Sequence, residues 1–367
     1  MFESFTFLPL ERVVYGPGSV SELAAELQRL DAHRVVIVTG RTVADKTPIV
    51  ERVAALCGDR HAATFKAVRQ HVPESDVDHA VQLARDHRAD LLVSVGGGSA
   101  VDGAKALAWR LAGDDPPLPH IAIPTALSAA EFSHVAGFTV ESDGGNSLGR
   151  SKDRHSGAAL TPRVVILDAE LTEYTPAWLW ASSGIRALDH AVETLYAPGE
   201  HPIQSLLALQ AIRELFACLP DATAYAQAVA LRQRCQLAAW MSHFAPAAIK
   251  LGLSHTLSKS FGTAYQVPHG ITSCITLPHV MRYMSATHAA ALARMARAVE
   301  VASDETPVEE AALAAADAVA ELIRRLDLPS RLRDVDVPRE AIPHIAMIAT
   351  GDTERKADAI RILQEAW

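Results

Sequence analysis

The sequence predicts an α/β domain in the first half of the chain and an all-helical domain in the second. Short apolar, β-branched runs alternate with segments of helical periodicity, and the runs lie at residues 13–15, 34–39, 91–95 and 120–123. Strands that alternate with helices pair in parallel and form a sheet that helices cover on both faces. Long helical periods dominate the second half. We therefore predict an α/β domain over residues 1–172, a helical domain over residues 173–367, and a ligand cleft between them.

The individual elements follow from local patterns. Ser19 and Glu22 have the spacing of a capping box, which predicts a helix that begins there and ends near residue 30. Further helices are predicted over residues 75–87, 177–196, 203–219, 222–243, 289–301 and 308–326. Two apolar runs, at residues 135–140 and 163–167, flank a polar, glycine-containing segment, and we predict that they pair as a hairpin.

The composition excludes several classes of function. The chain of 367 residues carries 34 lysines and arginines against 43 aspartates and glutamates, which gives a formal charge of −9. This balance argues against nucleic acid as a partner, because a phosphate backbone selects for basic surfaces. No apolar run reaches the roughly 18 residues of a membrane span, and the N-terminus lacks the pattern of a signal peptide. With four widely spaced cysteines, these features predict a cytoplasmic protein with reduced thiols.

A glycine-rich loop stands where a predicted strand is followed by a helix. Gly96-Gly97-Gly98-Ser99 comes directly after the run at residues 91–95. Glycines let the backbone approach a phosphate closely, and the following helix supplies free N–H groups and the positive end of its dipole. The loop lacks the G-x-G-x-x-G spacing of the ordinary dinucleotide fingerprint. From these residues alone, a plain strand-to-helix turn is the alternative.

Several segments along nearly the whole chain resemble the iron-containing alcohol dehydrogenase superfamily. They are VGGGSAVDGAK at residues 95–105 (family signature GGGSxxDxxK), IPT at 123–125, ALDHAVETLYA at 187–197 (family DALxHAxE) and VPHGITSCITLPHVM at 267–281 (family PHGxxxxxxLPHvm). The HVPES segment at 71–75 is most similar to the maleylacetate reductase branch. The resemblance implies a dehydroquinate synthase-like fold, with a dinucleotide-binding α/β domain and a helical domain that carries the catalytic, ancestrally metal-binding site.

The resemblance also implies NADPH or NADH as the cofactor. The residues expected to contact it are Gly97, Gly98 and Ser99 at the pyrophosphate, Asp102 nearby, Thr125 and Ser128 further along, and Lys152 at the ribose. Relatives that prefer NAD often carry an acidic residue where this chain has Gly40, followed by Arg41. Since no carboxylate repels a 2′-phosphate and Arg41 can pair with it, we predict that NADPH is accepted at least as well as NADH. The alternative is that Arg41 is a solvated loop charge.

The resemblance breaks at the metal site. Metal-dependent members bind a divalent ion through one aspartate and three histidines, and this chain keeps His190, His255 and His269. The fourth position holds Arg186, which has no lone pair to donate, and Lys259 stands where relatives often carry another histidine. Two cations at this place repel a dication. We therefore predict that metal is absent from the site.

Fixed side-chain cations then have to replace the metal. Hydride transfer needs donors aimed at the developing alkoxide, so we expect Arg186 to orient or neutralise the substrate. Lys259, with His190, His255 and His269, is expected to handle the proton. The favoured function is reduction by NAD(P)H of a small, anionic carbonyl or enoyl substrate similar to maleylacetate. Two alternatives stay open: a metal-dependent alcohol dehydrogenase that uses the three histidines, and a non-redox enzyme or binding protein on the same fold.

Plainer interpretations of these residues remain. Arg186 can pair with a neighbouring carboxylate, Asp189 or Glu193, while Lys259 faces solvent. His243 is isolated in the sequence and is interpreted as structural. The family resemblance further implies a homodimer.

Overall fold

The computed structural model describes residues 5–141, 150–198, 201–244, 252–351 and 355–367, with the backbone alone at 141 and 150–153. The described residues form two compact units. The first contains those up to Thr175 together with Ala226–Gln236, and the second contains Pro176–Tyr225, Leu237–Phe244 and those from Gly252 onward. The sequence predicts a single boundary at residue 172. The units differ from that description because Ala226–Gln236 belongs to the first one.

A parallel six-stranded sheet forms the centre of the first unit. Its order is β1-β8-β5-β4-β2-β3, with β1 Arg12–Tyr15, β2 Val35–Thr39, β3 His61–Phe65, β4 Leu91–Gly96, β5 His120–Pro124 and β8 Val164–Leu167. Every neighbouring pair runs parallel. The four inner strands are buried along their whole length. They are near-continuous apolar runs because helices cover both faces of the sheet, which confirms the predicted α/β class.

Five helices of the first unit pack against this sheet. They are α1 Leu23–Arg29, α2 Arg41–Lys46, α3 Ile49–Cys57, α4 Glu74–Asp86 and α5 Gly98–Ala112. The apolar sides of α1 and α3 build the core on one face of the sheet, and those of α4 and α5 build it on the other. The predicted capping box is wrong in detail, because Ser19–Glu22 forms a 3-10 turn without a side-chain cap and the α-helix begins at Leu23.

The predicted hairpin between residues 135–140 and 163–167 is wrong. Strand β6 (Val135–Glu141) pairs antiparallel with β7 (Arg150–Ser156), while β8 enters the main sheet between β1 and β5. The reason is the side-chain pattern. The run of β8 is apolar throughout and fits a strand buried on both faces, whereas the polar sequence of β7 carries no recognisable strand signal.

The second unit is helical, as predicted. Its helices are α6 Ala177–Thr194, α7 Pro202–Ala224, α9 Leu253–Gly262, α10 His269–Ala298, α11 Val308–Arg325, α12 Ile342–Thr350 and α13 Arg355–Glu365. Helix α8 (Val229–Ser242) gives residues to both units. The predictions near α6, α7 and α11 are confirmed, but α9 and the first half of α10 were not predicted. Within the described ranges, no helix has both the length and the apolar character of a membrane span.

Candidate active site

The predicted cofactor residues Gly40, Gly97 and Gly98 lie at the point where the strand order of the six-stranded sheet reverses. Strands β2 and β4 are neighbours, but the chain leaves β2 toward β3 on one side and β4 toward β5 on the other. In open α/β sheets, ligands bind in the crevice outside the carboxyl ends of such strands. Gly40 follows β2, and Gly97 and Gly98 follow β4. The hydroxyl of Thr39 donates to the carbonyl of Val95 at 2.8 Å and ties the two strand ends together.

The glycine loop is shaped by the segment that follows β5. Gly97 is the N-cap of α5, and the N–H of Thr125 donates to the Gly96 carbonyl at 2.9 Å. A Cβ atom on Gly98 would lie 2.8 Å from Ser128 Oγ, so only glycine lets the two segments approach this closely. The structure thus brings together Gly97, Gly98, Ser99, Thr125 and Ser128. No side chain caps the start of α5 among the described residues, and amides in the first turn of a helix suit a pyrophosphate.

The remaining predicted cofactor residues differ in burial and in how much of them the structure describes. Asp102 is half-buried on α5, four residues after Gly98 and so on the same side of the helix. Arg41 is exposed at the first position of α2, directly after Gly40. Lys152 lies on β7, but its side chain falls outside the described residues. The assignment of these residues to the cofactor stays a prediction.

In the second unit, Arg186 is the centre of a buried polar network. Its guanidinium donates through Nη1 to Ser273 Oγ at 2.8 Å and to Asp189 Oδ2 at 3.3 Å. Ser273 in turn donates to Asp189 Oδ2 at 2.6 Å. Through Nη2 the guanidinium contacts His255 Nδ1, and it lies 3.0 Å from His255 Nε2. The predicted ion pair between Arg186 and Asp189 is therefore present, but the same guanidinium also bonds to the imidazole of His255.

Burial sets the charge of the two histidines nearest this arginine. His190 and His255 are buried, and their rings lie 5.7 Å apart. Burial, with the charges of Arg186 and Lys259, holds the pKa of His255 well below its usual range. The pKa of His190 is likewise held well below its usual range, first by burial and then by His243 and the same two cations. Both imidazoles are therefore neutral near pH 7, and His255 can accept the proton that Arg186 shares.

Lys259 and His269 complete the group around His255. Lys259 lies on α9 four residues after His255 and is half-buried. His269 is the first residue of α10, with its Nδ1 close to Gly262. The charges of both residues lower the pKa of His255, which places them near that ring. Arg186, His190, His255, Lys259 and His269 therefore form one cluster in the second unit.

Glu193 fixes the helix that carries two of these residues. Its carboxylate accepts backbone N–H bonds from Gly252 and Ser254, both at 2.8 Å, and from His255 at 3.4 Å. These are the unpaired amides of the first turn of α9. A Cβ atom on Gly252 would lie 2.8 Å from Glu193 Oε1, so glycine is needed for this cap. Glu193 on α6 thus sets where α9 begins, and with it the place of His255 and Lys259.

A divalent metal does not fit this cluster. The lone pair of His255 that a metal would use is taken by the guanidinium of Arg186. Among the residues that the structure describes, no group of three or more histidine, cysteine, aspartate or glutamate side chains has the geometry to hold a metal ion. A metal-free reaction stays a prediction.

Three contributors to the cluster were missed in the sequence. The sequence indicates a structural role for His243, but its ring stacks on that of His190 with the ring centroids 4.5 Å apart. Ser273 carries no signal of its own, although it stands four residues after His269 within the recognised segment. Glu193 belongs to the recognised ALDHAVE segment and was considered only as a partner for Arg186. A search for buried acids near the ends of helices would have found it.

Comparison with known proteins places the whole chain. The profile of the iron-containing alcohol dehydrogenases matches residues 10–169, and that of the Fe-containing alcohol dehydrogenase family, C-terminal, matches residues 180–365. The chain belongs to the iron-containing alcohol dehydrogenase family. It is accordingly an NAD(P)-dependent oxidoreductase, and this class agrees with a glycine-rich loop at the start of a helix in one unit and a polar cluster in the other.

Within the family, the chain is similar to maleylacetate reductases. It is 31% identical to maleylacetate reductase of Burkholderia cepacia, over 97% of this chain and 95% of the relative. The structure of maleylacetate reductase from a Rhizobium species matches with a TM-score of 0.84 and 29% identity, covering 99% of this chain and 97% of that one. The structure of a putative alcohol dehydrogenase from Ralstonia eutropha matches with a TM-score of 0.87 and 30% identity, covering 100% of this chain and 98% of that one. These similarities confirm the predicted branch.

Proposed function

We propose that this protein reduces a small, anionic carbonyl or enoyl compound of the maleylacetate type with NADPH or NADH, and that it does so without a metal. The observation that carries the proposal is the guanidinium of Arg186 seated on His255, where metal-dependent relatives need an aspartate and an open imidazole nitrogen. Its charge takes the place of the ion's charge. The similarity to maleylacetate reductases supports the substrate class.

Charge supports an anionic substrate. Replacing an aspartate by Arg186 changes the formal charge at that position from −1 to +1. The half-buried Lys259 adds a second positive charge that acts on the same cluster. In a site of low dielectric, such charges attract a carboxylate and stabilise the oxyanion that forms during reduction.

The residues of the cluster then have distinct tasks. Bound NAD(P)H supplies the hydride. Arg186 directs Nη1 to Ser273 and Asp189 and Nη2 to His255, so it acts as a fixed positive charge and not as a movable carboxylate clamp. Lys259 delivers the proton to the reduced substrate. Among the described residues, the buried Nδ1 of His190 has no hydrogen-bond partner, which suits contact with a bound substrate.

The cofactor assignment rests on the loop geometry. Gly98 permits close approach at the start of α5, and the amides there are available for the pyrophosphate. Arg41 follows Gly40 at the end of β2 and is exposed, so it can meet a 2′-phosphate. We infer that NADPH binds at least as well as NADH.

We also infer a homodimer. Strand β1 is an edge of the six-stranded sheet, and Tyr15 at its end is exposed. An exposed edge is a template for pairing with another strand. Sedimentation equilibrium of the purified protein checks the mass, and a monomer would contradict the inference.

The deciding experiment combines turnover with elemental analysis. Protein purified without chelator is assayed for NADPH and NADH oxidation with maleylacetate and with its neutral ester, before and after treatment with a strong chelator. We expect turnover of the free acid above that of the ester, no effect of the chelator, and less than stoichiometric metal. Arg186→Asp, which restores the aspartate of the metal-binding set, is expected to gain zinc when zinc is added.

Three results would overturn parts of the proposal. Stoichiometric metal in the wild-type protein, lost together with activity on chelation, would establish a metal-dependent alcohol dehydrogenase. Equal turnover of acid and ester would remove the anionic substrate. Binding of NADPH without its oxidation by any keto acid or enoate tested would favour a non-redox role.

A further inference from the structure

A buried lysine of α5 holds the segment that follows β5. Lys105 is 1% exposed. Its ammonium donates to the backbone carbonyls of Ala130 at 2.5 Å, Ser133 at 2.6 Å and Val135 at 3.4 Å. An ammonium has three N–H donors, so these three carbonyls use them all. All three acceptors lie on one short stretch of chain that leads from the loop after β5 into β6.

This stretch is continuous with the part of the loop that meets the glycines. Ser128 precedes Ala130 by two residues, and its hydroxyl accepts the N–H of Ala130 at 3.4 Å. On α5, Gly98 precedes Lys105 by seven residues, which is two helical turns. The same helix therefore contacts the loop twice, with Gly98 against Ser128 at its first turn and with Lys105 against the carbonyls further along.

The loop between these contacts has a conformation that its sequence does not favour. Ala129 has φ +57°, in the left-handed region that a residue with a Cβ atom adopts at a cost. Such conformations persist where the surrounding structure over-determines them. Two contacts hold the turn here: the bond from Lys105 to the carbonyl of the next residue, Ala130, and the N–H of Phe132, which donates to the Ala129 carbonyl at 3.1 Å.

The charge of Lys105 is balanced within the same group of residues. Burial lowers the pKa of Lys105 to about 8, and the carboxylates of Asp102 and Glu131 oppose that change. Glu131 lies on the held segment itself and is buried. The lysine thus remains largely protonated near pH 7, with all three donors in place.

We propose that Lys105 is a positioning residue for the dinucleotide, whose ammonium holds the segment after Ser128 and so fixes Ser128 at the distance from the glycine loop that the cofactor requires. The inference rests on the proposed cofactor site and names a residue outside it. Among the described residues, the hydrogen bonds of Lys105 go to backbone carbonyls, so it acts on the cofactor through the loop that it holds.

The test measures cofactor binding apart from catalysis and stability. Lys105→Met removes the ammonium and keeps the length of the side chain. The matched control is Arg110→Met on the same helix, which removes a cation paired with Glu74 and Asp78 and leaves the loop untouched. The measurements are the Kd of NADPH by fluorescence titration, the KM values of NADPH and of the substrate, and the thermal midpoint.

We expect Lys105→Met to raise the Kd and KM of NADPH about tenfold, the size of one lost charge-assisted bond, with less change in the KM of the substrate. Arg110→Met lowers the thermal midpoint only slightly, because surface ion pairs contribute little to stability. It leaves the Kd of NADPH within about twofold, because Arg110 bonds to Asp78 and Glu74 and not to the loop after β5. If Lys105→Met fails to fold, Lys105→Gln, which keeps two N–H donors, is expected to give an intermediate Kd.

The outcomes separate this inference from the proposed function. An unchanged Kd in a folded Lys105 variant, or an equal rise in Arg110→Met, would overturn the positioning role while wild-type binding stands. Failure of the wild-type protein itself to bind NADPH would instead remove the cofactor site.

Discussion

Lys105 and Arg186 are both buried cations, and they are satisfied in opposite ways. Within the part of the chain that the structure describes, Lys105 donates to backbone carbonyls, at Ala130, Ser133 and Val135. Arg186 donates to side chains, among them Asp189 and His255. Carbonyls cannot ionise or move independently of the chain, so Lys105 fixes the position of a segment. Carboxylate and imidazole change charge readily, so Arg186 shapes the electrostatics of its surroundings.

This difference explains where each cation stands. A loop that must lie at a set distance from a phosphate gains from bonds to backbone carbonyls, because these acceptors do not ionise and move only with the chain. A reacting centre gains from a charge coupled to groups that can exchange protons. The comparison predicts that changes around Lys105 alter binding and stability, whereas changes around Arg186 alter turnover.

The largest expected effect is that of Arg186→Ala. Truncation leaves Asp189 and His255 buried without their shared partner, which costs about 3–5 kcal/mol of unfolding free energy. Loss of the charge opposite the developing oxyanion lowers kcat about 10³-fold. Urea unfolding and steady-state kinetics measure the two effects. Arg186→Lys, which keeps the charge, is the control and should recover part of kcat. Turnover unchanged in a folded Arg186→Ala protein would break the comparison.

Lys259→Met is expected to lower kcat about 10²-fold, the usual contribution of a positioned proton donor. Its unfolding free energy changes little because Lys259 is only half-buried. Kinetics across the pH range, with thermal unfolding, separate the two. Lys356→Met on α13 is the matched control and should retain kcat. A Lys259 variant with wild-type kcat at every pH would exclude the proton-donor role.

Ser273→Ala sharpens the assignment of Arg186. Removing the hydroxyl leaves Arg186 Nη1 and Asp189 Oδ2 each short of a partner, at a cost of about 1–3 kcal/mol, and the freer guanidinium lowers kcat about tenfold. Ser258→Ala is the control, because Ser258 is an equally buried serine bonded only to Thr276 Oγ1 among the described contacts, at 2.8 Å. Equal losses of kcat in both variants would reduce Ser273 to a packing role.

Arg41→Ala tests the binding side. We expect the Kd of NADPH to rise about tenfold, for one charge-assisted contact, and the Kd of NADH to stay the same. Lys46→Ala at the other end of α2 is the control. Fluorescence titration with both nucleotides gives the four constants. A parallel rise for NADH would show that Arg41 does not read the 2′-phosphate.

The smallest effect is a pH dependence that belongs to Lys105. Its pKa is about 8 in the folded protein against 10.5 for a free lysine. Above pH 8 the unfolded chain therefore holds the extra proton, and the stability of the wild type rises with pH relative to Lys105→Met. The groups that face the ammonium are Asp102, Glu131, His120 and His134. In Lys105→Met, loss of the cation raises the pKa of Glu131 further. The unfolding free energy of the variant then falls as pH rises, which widens the difference from the wild type.

Urea unfolding of both proteins, at one pH below 8 and one above 9, measures this difference. We expect a shift of about 1 kcal/mol in favour of the wild type, since one pKa unit corresponds to about 1.4 kcal/mol. A constant difference would mean that Lys105 keeps its proton throughout the range.

The candidate site residues could be predicted from the sequence, but the contacts between them could not. The glycine loop, Gly40 and Arg41 are local features, each standing directly after an apolar strand. Helix α9 escaped prediction because its first turn is capped by Glu193 from α6 and not by a residue of its own. Strand β7 was not predicted because its sequence is polar. It lacks the alternation of apolar and polar residues that would indicate its pairing with β6.

The sequence by itself determined the α/β and helical halves, the presence of a glycine-rich loop between a strand and a helix, and an arginine where metal-dependent relatives carry an aspartate. These depend on short-range periodicity and on residue type, which the chain displays directly. Only the tertiary structure decided that Arg186 lies on His255, that Ser273 links it to Asp189, and that Lys105 holds the loop after β5. Each of these contacts joins residues distant in sequence. Their partners are chosen by packing and by the need to satisfy buried polar groups, which no local pattern specifies.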